Sequence, residues 1–205
     1  MYRTQAGGWH DDTGVEWNAL SPPPMSGAGH PWDGSGPQGF PADAVYKAWQ
    51  MLSTSGVADP TTCATFNYDV VNAGREALAQ LITVLEGNLT MAVAAGKRST
   101  ALSTATTLME AYADLDELLG CEYGFLLGIW IKQAKQWTNN TDGGTEGYYE
   151  WQAKSQVSTW WPIPPSARQN PLTFQRLPIL DDYANKHWNG LVRDFYAKRV
   201  QCYID

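Results

Sequence analysis

No cluster of basic residues occurs anywhere in this sequence of 205 residues. Lys and Arg total 14 against 21 Asp and Glu, for a formal net charge of −7 and a pI near 4.9. Binding nucleic acid requires clustered cations to neutralise phosphates, so no nucleic-acid partner is expected. No stretch approaches the roughly 20 consecutive apolar residues of a membrane helix, so no membrane partner is expected either. Cysteine is scarce. Cys63, Cys121 and Cys202 are odd in number and far apart, which fits neither a metal motif nor a complete disulfide framework. One bridge with a free thiol and three buried thiols both stay open.

Chemistry-bearing patterns are absent as well. The histidines are His10, His30 and His187, and no pair has the i, i+4 spacing of a zinc hydrolase. There is no Gly-x-Ser-x-Gly elbow and no Gly-rich phosphate loop. No metal and no cofactor is therefore expected. Among the carboxylates, Asp114, Asp116 and Glu117 read as the solvated end of a helix, followed by Glu122. Asp181 and Asp182 read as first-turn acids that complement a helix dipole.

Large aromatic rings are abundant instead, with 10 Trp and 10 Tyr. Such rings fill cores, or line grooves where the C–H face of a sugar stacks and hydroxyls meet the polar tips. A hydrophobic fraction of 43% supports a packed core rather than disorder. Two glycosylation sequons occur, Asn88-Leu89-Thr90 and Asn139-Asn140-Thr141, and the second lies in the polar, Gly-rich stretch that suits an acceptor.

Residues 1–40 form an irregular Gly/Pro-rich arm carrying Trp9, Trp17, Trp32 and Pro22-Pro23-Pro24. Residues 41–205 read as one all-α domain, a bundle of about six helices. Val45, Ala48, Trp49 and Leu52 mark the first helix. The second begins near Asn67 with a stripe of Val71, Gly74, Leu78, Leu81, Ile82 and Leu85, and runs toward Ala95. Ser99 is the expected cap of the third, whose inward face is Leu102, Ala105, Leu108, Met109, Tyr112 and Leu115 and which ends at Gly120. A fourth covers about Tyr123 to Trp137, burying Leu127, Trp130, Ile131, Ala134 and Trp137. A fifth spans Thr145 to Trp160, ahead of Pro162. After a Pro-rich loop over 161–180, a sixth starts near Asp181 with Ala184, Trp188, Leu191, Phe195 and Tyr196 inside. The opening Met1-Tyr2-Arg3-Thr4-Gln5 is no signal peptide, and Tyr203-Ile204-Asp205 stops within a helix. Both ends are expected to be cuts in a longer protein.

Several stretches together carry a family resemblance. Leu115-Asp116-Glu117-Leu118-Leu119, then Phe125-Leu126-Leu127-Gly128-Ile129-Trp130, resembles a helix end and its successor in the α-N-acetylglucosaminidases. Asp182-Tyr183-Ala184-Asn185-Lys186 resembles that family's "DYANK", with Gly190-Leu191-Val192 and Phe195-Tyr196 in step behind it. Thr159-Trp160-Trp161 is similar to a family Trp context, and Tyr2 to the segment leaving the family's barrel.

The resemblance implies a retaining exo-glycosidase that removes terminal α-linked N-acetylglucosamine, notably from heparan sulfate. It implies a secreted, lysosomal or vacuolar glycoprotein built from a small N-terminal domain, a (β/α)8 barrel and this helical C-terminal domain. Both catalytic Glu residues then belong to the barrel, and indeed no carboxylate pair here stands out as acid and nucleophile. Carried over by position, Trp161 and Tyr183 wall the sugar pocket, with Leu180 as an apolar neighbour. His10 is either a pocket histidine or a solvated loop residue. The loop from Pro162 to Pro178 is longer than the compact family version. A non-catalytic helical module that binds glycans or proteins through the same aromatics is the alternative.

Overall fold

A computed structural model describes residues 42–56, 59, 62–139, 144–158 and 186–204. Six α-helices occur among them. They are α1 (Ala42–Thr54), α2 (Ala64–Ala94), α3 (Arg98–Gly120), α4 (Leu127–Lys135), α5 (Glu146–Gln156) and α6 (Ala197–Ile204). The all-α reading holds. Among the described residues the β-structure is a single isolated parallel bridge, between Leu126 and Asn189. The arm over 1–40 and the loop over 161–180 lie outside the described residues.

The chain divides into two units, one of residues 10–127 and 187–205, the other of residues 1–9 and 128–186. In the first, α2 and α3 form a long helical hairpin. Its turn follows from Gly96, which takes φ +65. The Gly96 amide donates to the Val93 carbonyl and the Lys97 amide to that of Ala92, both at about 3.0 Å or less. This pair of bonds satisfies carbonyls that a helix end otherwise leaves bare. α3 begins at Arg98 after Lys97, with no side-chain cap, so the expected Ser99 cap lies one residue inside the first turn.

Val71, Ala79, Ile82 and Leu89 of α2 meet Ala105, Leu108, Ala111, Tyr112, Leu115 and Leu119 of α3, all buried. These positions recur every three or four residues, the spacing of one helical face. Two of the predicted inward residues, Leu81 and Leu102, are exposed, and Leu78, Leu85 and Met109 are only half-buried. A single-sequence stripe is wider than the surface its partner covers. At Gly74 three helices converge, for a Cβ there would lie 2.8 Å from both the Trp49 indole nitrogen and Leu118 Cδ2.

By length and composition α2 is apolar enough to cross a membrane, the single described helix to pass that test. The sequence reading of no such stretch is corrected to that extent. Arg75, Gln80 and Glu86 are buried on the same helix, and the first and last bond neighbouring chain, as in the core helix of a packed domain.

The sixth helix starts later than expected. Lys186 to Trp188 are irregular, Asn189 joins the bridge, and a π-helical turn over Val192–Tyr196 leads into α6. Gly190, at φ +88, explains the break, since that backbone conformation suits glycine and interrupts a helix. Leu191 and Tyr196 are buried here as expected, Trp188 and Phe195 are half-buried, and Val192 and Val200 join the buried face unforeseen. Asp181 and Ala184 lie outside the described residues.

The second unit holds most of α4, a 3-10 turn over Gln136–Asn139, and α5. The Thr145 hydroxyl accepts from the Tyr148 amide at 3.2 Å and caps α5. The Trp130 indole donates to the Ala153 carbonyl at 3.0 Å, tying α4 to α5. Two expectations fail. Of the five residues assigned to the buried face of α4, Trp137 is 57% exposed and the other four are half-buried. Amphipathic spacing marks a face as apolar without saying what covers it. α5 ends at Gln156, short of Trp160.

Candidate functional site

The four residues expected to meet sugar, His10, Trp161, Leu180 and Tyr183, lie outside the described residues. What is described is the stem that follows Tyr183 in sequence. The stem runs from His187 to Arg193, and two helices and a turn grip it.

The first grip comes from α3. Asp116, read from the sequence as part of a solvated helix end, is only 4% exposed. Its Oδ1 accepts from the Gly190 amide at 2.6 Å and the Arg193 amide at 3.1 Å. Its Oδ2 accepts from Asn189 Nδ2 at 2.9 Å, and that same amide nitrogen reaches the Asp116 carbonyl at 2.8 Å. Arg193 Nη1 stands 3.9 Å from Oδ2. A carboxylate loses its hydration on burial, and several charge-assisted bonds replace it here. Acting across 73 residues, Asp116 caps the first turn of the terminal helix.

The second grip comes from α2. Arg75, 1% exposed, places Nη1 2.9 Å from Nδ1 of the buried His187. A guanidinium only donates, so Nδ1 accepts and the ring carries its proton on Nε2. Arg75 Nε also donates to Asn72 at 3.0 Å, and Nη2 lies 3.5 Å from Glu76. The third grip is backbone: Asn189 N donates to Phe125 O at 2.8 Å, and Leu127 N to Asn189 O at 3.2 Å. Phe125 is fully buried and stacks on Tyr68, with centroids 5.2 Å apart.

A further buried carboxyl lies lower in the hairpin. Glu86 accepts from the Tyr112 hydroxyl at 2.7 Å. Burial pushes its pKa up to about 8, against smaller opposing effects from the Tyr112 hydrogen bond and the Arg199 charge. The Tyr112 phenol is itself driven well above its ordinary value, chiefly by burial. Arg199 also lies over the Phe195 ring, 5.0 Å from its centroid.

These groups hold structure rather than perform chemistry. Among the described residues no group of three or more His, Cys, Asp or Glu could hold a metal ion. A cleft of about 310 Å³ near the hairpin turn, lined by Leu89, Val93, Lys97, Leu102, Ala105 and Ile204, contains no acid or imidazole. The cysteines are unbridged; Cys121 and Cys202 are exposed, which removes the reading of three buried thiols. A hydrogen bond with Thr65 holds the Cys63 thiol below its usual range.

Sequence reasoning missed Arg75, Glu86 and Asp116, although a signal existed. Arg75 lies four residues from both Val71 and Ala79, Glu86 four from Ile82, and Asp116 four from Tyr112, so each falls on a buried stripe. A charge on an apolar stripe announces a buried partner.

Comparison with known families decides the relationship. Residues 24–205 match the family described as the α-N-acetylglucosaminidase (NAGLU) C-terminal domain. The chain belongs to that family. Human α-N-acetylglucosaminidase is 28% identical over 162 residues, covering 78% of this chain and 20% of the human protein. The chain thus spans about a fifth of the length of that relative. The family 89 glycoside hydrolase of Clostridium perfringens, solved in complex with PUGNAc, aligns at a TM-score of 0.63 and 21% identity, covering 80% of this chain and 17% of that enzyme. A doubly substituted form of the same enzyme, bound to its substrate GlcNAc-α-1,4-galactose, aligns equally well. These likenesses confirm the helical fold of the α-N-acetylglucosaminidase C-terminal domain.

Proposed function

We propose that this chain is the helical wall of a retaining exo-α-N-acetylglucosaminidase, completing a sugar pocket whose two catalytic Glu residues sit on a (β/α)8 barrel outside it. The observation that carries this reading is the family match over residues 24–205. It favours an enzyme domain over a free-standing binding module. The substrate class is a glycan ending in α-linked N-acetylglucosamine, heparan sulfate among them, and the setting is secreted, lysosomal or vacuolar. Trp161 and Tyr183 stack on and hydrogen-bond the terminal ring, Leu180 lines it, and His10 joins from the arm.

The test uses an aryl α-N-acetylglucosaminide. The full-length protein hydrolyses it, and the 205-residue chain alone does not. In the full-length protein Trp161→Ala and Tyr183→Phe each slow turnover while leaving the yield of folded enzyme intact. Turnover by the chain alone, or unchanged kinetics in both variants, overturns the assignment.

Of the two sequons we propose Asn139 as the glycan acceptor. Asn139 closes a 3-10 turn, whereas Asn88 lies inside the continuous helix α2, its backbone held in the helical ladder. Intact mass of Asn139→Gln and Asn88→Gln, before and after glycan removal, separates them. Loss of the glycan with Asn88→Gln reverses the choice.

A further inference from the structure

The chain carries 21 acidic residues against 14 basic ones, yet the end of the α2–α3 hairpin has the opposite sign. From Gly87 to Met109, across the turn, the ionisable residues are Lys97 and Arg98. Both are exposed, and neither meets a carboxylate among the described residues. Lys47, Lys135, Lys154 and Arg193 each pair with an acid. The same two cations line the cleft of about 310 Å³ at the turn. The rest of its wall is apolar, with Leu89, Val93 and Leu102 from the hairpin and Ile204 from α6. Val93 is 50% exposed and Leu102 53%, so much of this apolar wall stands in water.

Size and charge together select the occupant. The volume lies at the small end of ligand pockets, which suits one short aliphatic body with one negative group. Two cations are too few to hold an anionic membrane, which calls for a cluster of about four to eight. The net charge of −7 also opposes approach to such a surface. A second copy docking by the same face would set Lys97 and Arg98 against their equals. We propose that the cleft at the α2–α3 turn binds a free medium-chain aliphatic carboxylate, its chain on Leu89, Val93, Leu102 and Ile204 and its head at Lys97 and Arg98. The ligand covers apolar wall from both the hairpin and α6, and the cations neutralise the one charge it carries.

Calorimetric titration of the full-length protein with decanoate, below its micelle concentration, tests the site. One molecule is expected to bind, with a Kd of about 0.1–1 mM. Each buried methylene tightens binding up to about fourfold, so hexanoate is expected to bind at least about tenfold more weakly. Decanol, with the same chain and no charge, is expected to bind about three- to tenfold more weakly. The double variant Lys97→Gln, Arg98→Gln is expected to weaken decanoate to the level of decanol. Leu102→Glu puts an acid in the wall and is expected to abolish binding. All three positions are exposed, so these variants keep the fold, and the chain-length series needs no variant at all. No binding of decanoate, equal affinity for hexanoate and decanoate, or unchanged affinity in the double variant overturns the proposal. Two other results overturn it by naming another occupant. Co-sedimentation with phosphatidylserine vesicles that Leu102→Glu removes gives the cleft to a membrane, and a halved molecular mass in Leu102→Glu gives it to a second copy.

Discussion

Two helical hairpins lie in this chain and are held together by different means. In the α2–α3 hairpin three ionisable side chains are sealed inside: Arg75 is 1% exposed, Asp116 4% and Glu86 7%. In the α4–α5 hairpin the charges are outside. Lys135 reaches Glu146 at 2.7 Å and Glu150 at 3.2 Å, with Lys154 on the far side of Glu150. Among the described residues of that hairpin the buried ones are the small Ala153 and Val157. The sealed groups are met by an imidazole, a phenol and amides, the exposed ones by opposite charges. Water weakens an ion pair at the surface, and where it is excluded each bond is strong and each loss severe.

The sharpest way to break this contrast is to delete a sealed charge. Arg75→Ala leaves a cavity and strips His187 and Asn72 of a donor, and is expected to cost about 3–5 kcal/mol in urea unfolding. A cost below about 1 kcal/mol means water reaches the site and the contrast is false.

Glu86 gives the next largest effect, and its direction is set by pH. Its folded-state pKa of about 8 lies above the reference 4.5, so folding takes up a proton. That contribution is complete below about 4.5 and is lost as pH rises through about 8. The facing groups are Tyr112 and Arg199; Arg199 favours the charged form but does not outweigh burial. Melting temperature is expected to fall between pH 5 and pH 8.5, and Glu86→Gln to flatten that fall. An equal slope in the variant shows that Glu86 is not the group responsible. An acid-favoured fold suits the lumenal setting proposed above.

Two glycines on α2 sharpen the comparison further. A Cβ at Gly74 meets the Trp49 indole and Leu118 at 2.8 Å, whereas one at Gly87 meets nothing within 4 Å. Gly74→Ala is expected to destabilise by about 1–3 kcal/mol through overpacking. Gly87→Ala is expected to stabilise by up to about 1 kcal/mol through helix propensity. Thermal unfolding of both variants checks the opposite signs. Stabilisation by Gly74→Ala means that Trp49 gives way and the three-helix junction is loose.

The sequence foretold one of these hairpins far better than the other, for a physical reason. Val71, Ile82, Leu108, Tyr112 and Leu115 recur at helical spacing, and local periodicity is all that is needed to place them. Arg75 and Asp116 lie on the same stripes, yet their partners are His187 and Asn189, 112 and 73 residues away. No window of a single sequence contains both halves of such a bond. The start of the terminal helix was misplaced for the same reason, because Gly190 and the bridge to Leu126 interrupt a pattern that is locally good helix. The residues proposed for the pocket, Trp161, Leu180, Tyr183 and His10, rest on resemblance alone, since nothing local in the sequence singles them out.

The surface network of the α4–α5 hairpin closes the comparison from its weak side. Hydrogen bonds to Glu146 and then Glu150 hold the Lys135 ammonium above its usual range. Bonds from Lys154 and then Lys135 hold Glu150 below its own. Both directions say that the charged forms attract, but the groups stay wetted, so salt screens them and side-chain entropy opposes them. Lys135→Ala is therefore expected to speed hydrogen exchange of the α5 amides by less than about threefold, an effect that disappears at high salt. The Thr145 cap and the Trp130–Ala153 bond remain in that variant, and they hold α5 without the charges. Exchange rising tenfold or more at any salt places this network with the sealed charges of α2 and α3, and burial is then not what divides the two hairpins.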